Sequence, residues 1–70
     1  MKAIGKYIVI NPIKETSTRY RRASIVSVGT DVNKLKAGNE IYYDKSAGFN
    51  IEIKNNNYKV IKEFDVVVVL

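Results

Sequence analysis

The chain has 70 residues, with 12 basic and 7 acidic side chains, a formal charge of +5, and neither Cys nor His. The missing residue types exclude disulfides, zinc sites of the Cys/His kind, and Ser-His or Cys-His nucleophile pairs. A chain this short buries only about 60% of its unfolded surface, so a partner chain is the expected source of added stability.

Nine Val and nine Ile outnumber the seven Leu, Met and Ala together, and stiff β-branched side chains suit a pleated surface. An all-β fold in a single domain, residues 1–70, is therefore expected. The first strand is Tyr7-Ile8-Val9-Ile10, stopped or turned into an edge by Asn11-Pro12. Residues 14–21 are polar and read as a loop. A second strand, Ala23-Ser24-Ile25-Val26-Ser27-Val28, closes at Gly29-Thr30-Asp31. Lys36-Ala37-Gly38-Asn39 is a turn, followed by the strand Glu40-Ile41-Tyr42-Tyr43 and a turn at Lys45-Ser46-Ala47-Gly48. In residues 49–53, Phe49, Ile51 and Ile53 alternate with Asn50 and Glu52, the pattern of a half-buried strand. Asn55-Asn56-Asn57 reads as a hairpin turn. A strand follows over residues 58–61, then a break at Glu63-Phe64-Asp65 and a last strand over residues 66–69. Strands and short turns without a helical stretch imply a small barrel or sandwich.

No apolar run reaches the ~18 residues of a membrane-spanning helix, and Met1-Lys2-Ala3-Ile4-Gly5-Lys6 lacks a signal-peptide core. A soluble, cytoplasmic protein without membrane contact is expected. The charge is lopsided: residues 1–35 carry 7 basic and 2 acidic side chains, and residues 36–70 carry 5 of each. The excess gathers at Lys14, Arg19, Arg21 and Arg22. With Tyr20 these form a candidate partner-binding loop, because Arg forks suit phosphates and carboxylates and an exposed Tyr can stack on a base. The plainer reading is a solvated charge run. Glu63 and Asp65 share a face if extended, yet no His, Cys or Gly-rich phosphate loop joins them. The chain is read as no enzyme, with no cofactor and no metal. The five tyrosines are read as core or rim.

Four stretches, in this order, resemble the GroES family of co-chaperonins. Tyr7-Ile8-Val9-Ile10-Asn11-Pro12-Ile13-Lys14-Glu15 is similar to that family's R-V-L-V-K-P-x-x-E strand. Arg22-Ala23-Ser24-Ile25-Val26-Ser27-Val28-Gly29 is similar to R-G-x-V-x-A-V-G, with Ala23 in place of the usual Gly. Leu35-Lys36-Ala37-Gly38-Asn39-Glu40-Ile41-Tyr42-Tyr43 is similar to V-K-V-G-D-x-V-x-F, with Asn39 for Asp. Glu63-Phe64-Asp65-Val66-Val67-Val68-Val69 is similar to E-x-D-I-L-A-x-I.

The resemblance implies a small GroES-like β-barrel and a co-chaperonin-like oligomer acting in folding or assembly. It also implies subunit contacts between the N-terminal strand of one copy and the C-terminal strand of the next. The matching residues are Met1, Lys2, Ala3 and Ile4 at one end, and Val66, Val67, Val68, Val69 and Leu70 at the other. The alternative for the apolar run 66–70 is burial inside its own barrel. Two family insertions are trimmed here. Only residues 16–21, without an aliphatic side chain, stand where the long apolar-tipped mobile loop belongs, and only residues 30–34 where the roof hairpin belongs. The usual chaperonin-capping contact is therefore not expected. A trimmed barrel in a Lys-, Asn-, Ile- and Tyr-rich chain also fits a phage source, placing it in the host cytoplasm or a virion. Two alternatives to a co-chaperonin follow: a virion or other assembly component on the same barrel, and a small nucleic-acid-binding barrel using the Arg cluster.

Overall fold

A computed structural model describes residues 1–13 and 19–70. The described residues contain six strands: β1 (Tyr7–Pro12), β2 (Tyr20–Val28), β3 (Glu40–Asp44), β4 (Phe49–Ile53), β5 (Asn56–Lys62) and β6 (Val66–Val69). They form one antiparallel sheet in the order β4-β5-β1-β2-β3-β6, which leaves β4 and β6 at its edges. The fold is the expected all-β, GroES-like small barrel.

One face of the sheet holds the core. Ile8, Ile10, Ala23, Ile25, Ile41, Tyr43 and Ile61 point inward and are closed over by Val32 and Leu35 from the β2–β3 connection. The sheet curls far enough for Lys59 on β5 to reach the far side of β3. Its Nζ lies 5.4 Å from the centre of the Tyr43 ring and donates to the Lys45 carbonyl at 3.0 Å. A smaller cluster, Ala3, Val9 and Val60 with Val26 and Tyr58, sits on the outer face. A bulge between Val9 and Ile10 separates the Val9–Ser27 pair from the Ile10–Ile25 pair.

Several boundaries differ from the sequence reading. β1 continues through Pro12, which pairs with Ala23. The β1–β5 register ends at Ile10, and the Ile13 N–H donates to the Arg22 carbonyl on the β2 side. The missing N–H of Pro12 therefore faces the side where pairing has already stopped, and no ladder bond is lost. β2 starts at Tyr20, so Tyr20, Arg21 and Arg22 are strand residues paired with Asp44, Tyr43 and Tyr42. The β4–β5 turn is Lys54–Asn55, not Asn55–Asn57. Both residues have positive φ, 50° and 69°, as a two-residue type I′ turn requires.

β4 is not half-buried. The alternation is present, but Phe49, Asn50, Ile51 and Glu52 are all exposed. Phe49, Ile51 and Ile53 pair with Val60, Tyr58 and Asn56, which puts them on the outer face. Alternation reports that one face differs from the other, not that anything covers it.

Candidate assembly site at the chain ends

The last strand is an exposed edge. Among the described residues β6 pairs only with β3, matching Ile41 with Val69, Tyr42 with Val68 and Tyr43 with Val66. The Leu70 N–H extends the ladder to the Glu40 carbonyl at 2.8 Å. Val66 packs on the core, but Val67, Val68 and Val69 are 52%, 46% and 47% exposed. The run is thus not buried inside its own barrel. An open groove of about 450 Å³ follows it, lined by Lys6, Leu35, Phe64 and the four valines among others. A bare apolar edge strand invites pairing with another chain.

The N-terminal residues lie along the outer face. Ala3 is buried against Val9 and Val60, and its N–H donates to Ser27 Oγ at 3.0 Å. Met1, Lys2 and Ile4 are exposed, Ile4 at 78%. A turn bonding the Tyr7 N–H to the Ile4 carbonyl at 3.1 Å carries the segment into β1. Within one chain the ends therefore present apolar surface at both places the sequence reading named.

The basic segment is knitted into the sheet. Arg19 lies 3.9 Å from Asp44 and 5.7 Å from the Tyr20 ring centre. Arg21 Nε donates to the Ile13 carbonyl at 3.1 Å. Arg22 Nε donates to Glu40 Oε1 at 3.0 Å, and a terminal guanidinium nitrogen bonds the same oxygen. Exposed pairs of this kind contribute little to stability, because solvent screens them and ordering two long side chains opposes the gain. They also offset the positive charge that an acidic partner would read. Lys14 lies outside the described residues.

The two acids flagged by spacing have separate structural tasks. Asp65 Oδ2 accepts the Lys62 N–H at 2.9 Å and caps the 3₁₀ turn Glu63–Asp65. Glu63 Oε2 accepts the Asn33 N–H at 3.3 Å, tying down the β2–β3 connection. Phe64 between them is 79% exposed. Lys62 Nζ sits 6.0 Å from both the Phe64 and Tyr7 rings. This aromatic patch escaped the sequence reading, because nothing in an E-x-D turn says which way its middle side chain points.

Fold and edges together define a small antiparallel barrel with apolar surface at its chain ends. The chain belongs to the chaperonin 10 kDa subunit family, whose model matches residues 2–70. It is 32% identical, over 99% of its length, to the co-chaperonin GroES of Bacteroides fragilis, of which it covers 78%. It is 30% identical to the co-chaperonin GroES of Thermodesulfovibrio yellowstonii over 66% of its length, spanning about half (52%) of that relative. Among the described residues no helix is long and apolar enough to cross a membrane.

Proposed function

We propose that this chain is a co-chaperonin-like, non-enzymatic subunit acting in chaperonin-associated protein folding in the cytoplasm, and that it works as a closed homo-oligomer. The observation that carries the reading is β6, an apolar strand at the edge of the sheet and about half exposed along Val67, Val68 and Val69. A neighbouring copy supplies residues 1–4 to that edge. The contact is head-to-tail, and such contacts close into rings when the rotation permits. Similarity to the co-chaperonins GroES of Bacteroides fragilis and Thermodesulfovibrio yellowstonii supplies the chaperonin context.

The grip on a chaperonin differs from an apolar-loop contact. Residues 14–19 of the connection between β1 and β2 are polar throughout, Lys14-Glu15-Thr16-Ser17-Thr18-Arg19, and offer no aliphatic side chain to an apolar groove. Any contact made there is charge-dependent and weakens with salt.

Light scattering tests the assembly, and co-elution with a chaperonin in the presence of nucleotide tests the partner. A multimer that co-elutes is expected. A monomer at high concentration, or a multimer that never co-elutes across a range of salt, would overturn the respective half.

A further inference from the structure

We propose that the outer edge of β4 is a second self-association surface, where β4 of another copy adds antiparallel about a two-fold axis through Ile51. The inference goes beyond the proposed function and does not rest on ring closure, because it uses the opposite edge of the sheet from β6.

β4 carries few of the devices that normally blunt an edge strand: one charge and a length of five residues. It contains no Pro and no Lys, its register with β5 runs without a bulge, and residues 49–52 are exposed. Its one charge is Glu52. The hairpin turn fixes which backbone groups face outward. In a two-residue type I′ hairpin the flanking pair, here Ile53 and Asn56, is hydrogen-bonded. Hydrogen-bonded and non-hydrogen-bonded pairs then alternate along the ladder. Phe49, Ile51 and Ile53 thus turn their N–H and C=O groups toward β5, while Asn50 and Glu52 turn theirs to the open edge.

Only one register satisfies both backbone and side chains. With the axis through Ile51, Asn50 of each copy faces Glu52 of the other and exchanges both backbone hydrogen bonds. Ile51 meets Ile51 of the second copy as a close, non-hydrogen-bonded pair, and Phe49 meets Ile53. Every apolar residue faces an apolar one, and the carboxylate faces an amide. An axis through Glu52 sets two carboxylates against each other, which is destabilising. An axis through Asn50 leaves Ile53 without a mate, and a one-residue slip opposes apolar to polar throughout. The second copy is therefore the occupant whose sequence fits. A pair of five-residue strands is marginal alone, so the contact is concentration-dependent and gains strength when several copies engage at once.

The chain has no cysteine, so Ile51→Cys introduces a single thiol at the axis, at a separation that suits a disulfide. Under a mild glutathione redox buffer it should form a covalent dimer roughly tenfold faster than Lys36→Cys, a control at an exposed position in a distant turn. Adding Asn50→Lys should speed that cross-link and adding Asn50→Glu should slow it, each by roughly threefold or more. Circular dichroism confirms that each variant is folded. Cross-linking no faster than the control, or indifferent to both Asn50 changes, would overturn the proposal. So would suppression of the cross-link by an excess of unfolded, cysteine-free polypeptide, which would make the edge a site for extended chains in general.

Discussion

Gly29 lies against the backbone of Gly5 so closely that a Cβ on Gly29 would stand 2.0 Å from the Gly5 carbonyl oxygen. The approach lets the Gly29 N–H donate to the Tyr7 carbonyl at 2.9 Å and the Asp31 N–H to the Gly5 carbonyl at 3.0 Å. The end of β2 and the N-terminal turn are thereby locked together. Gly29→Ala must push backbone against backbone and is expected to cost about 2–4 kcal/mol. Gly38→Ala meets open space and suffers only from its φ of +94°, a penalty of about 1–2 kcal/mol. Urea midpoints of the two variants should rank in that order. Equal losses would show that residues 4–5 yield easily.

Asp44 is expected to contribute to the loss of stability in acid. Ser46 Oγ donates to its Oδ1 at 2.7 Å and the Ser46 N–H at 3.0 Å. These bonds first, and Arg19 and Lys59 after them, hold the carboxyl below its ordinary value of 3.8. A depressed folded value means the stabilisation is complete above the unfolded pKa and is lost as pH falls through the folded one. Asp44→Asn removes that titration. The thermal midpoint of the parent chain should therefore fall more than the variant's between about pH 6 and about pH 2.5. Parallel falls would show that other carboxylates dominate acid unfolding.

Much of this was legible in the chain, and the failures share a cause. Strand positions followed from Val/Ile runs broken by Gly, Pro and Asn, so β4 and β6 were placed at their observed residues. By polarity Tyr20, Arg21 and Arg22 look like a loop, yet they pair with β3, with Arg22 meeting Glu40 and the preceding Arg19 meeting Asp44. The turn was misplaced by one residue because Lys54 adopts the left-handed conformation alongside Asn55. Coverage was harder to read. Residues 49–53 and 66–69 are apolar enough for a core, and both are exposed edges, since burial depends on which strands flank a run. The residues proposed for the subunit interface were legible from the family resemblance, not from composition.

Val68→Lys separates folding from assembly. Val68 is 46% exposed in a single chain, so a lysine there reaches solvent and should change monomer stability by less than about 1 kcal/mol. Covered by a neighbour's strand, the same charge would be desolvated at a cost of several kcal/mol. Light scattering should show smaller particles, with a circular dichroism spectrum still rich in β structure. Unchanged mass would remove β6 from the interface. Lost β structure would mean that folding itself requires the neighbour.

Strand β1 ends at Pro12 and β2 begins at Tyr20, so seven residues join them. Fully extended they span about 25 Å, and a segment that must go out and return reaches roughly half of that. A cap holds its chaperonin through several subunits at once, so its strength is a matter of multivalency. Each weak arm must still contribute, and here, beyond Ile13 at its root, each arm brings hydroxyls, a carboxylate and basic groups. Charge contacts lose strength as ionic strength rises, because the screening length is only about 8 Å at physiological salt. In an ATP-dependent refolding assay with this protein as the only cap, refolding should therefore fall well short of that supported by a full-length co-chaperonin. Whatever remains should fade between about 50 mM and about 300 mM salt. Ordinary yields that ignore salt would show that a short polar segment suffices to hold the chaperonin.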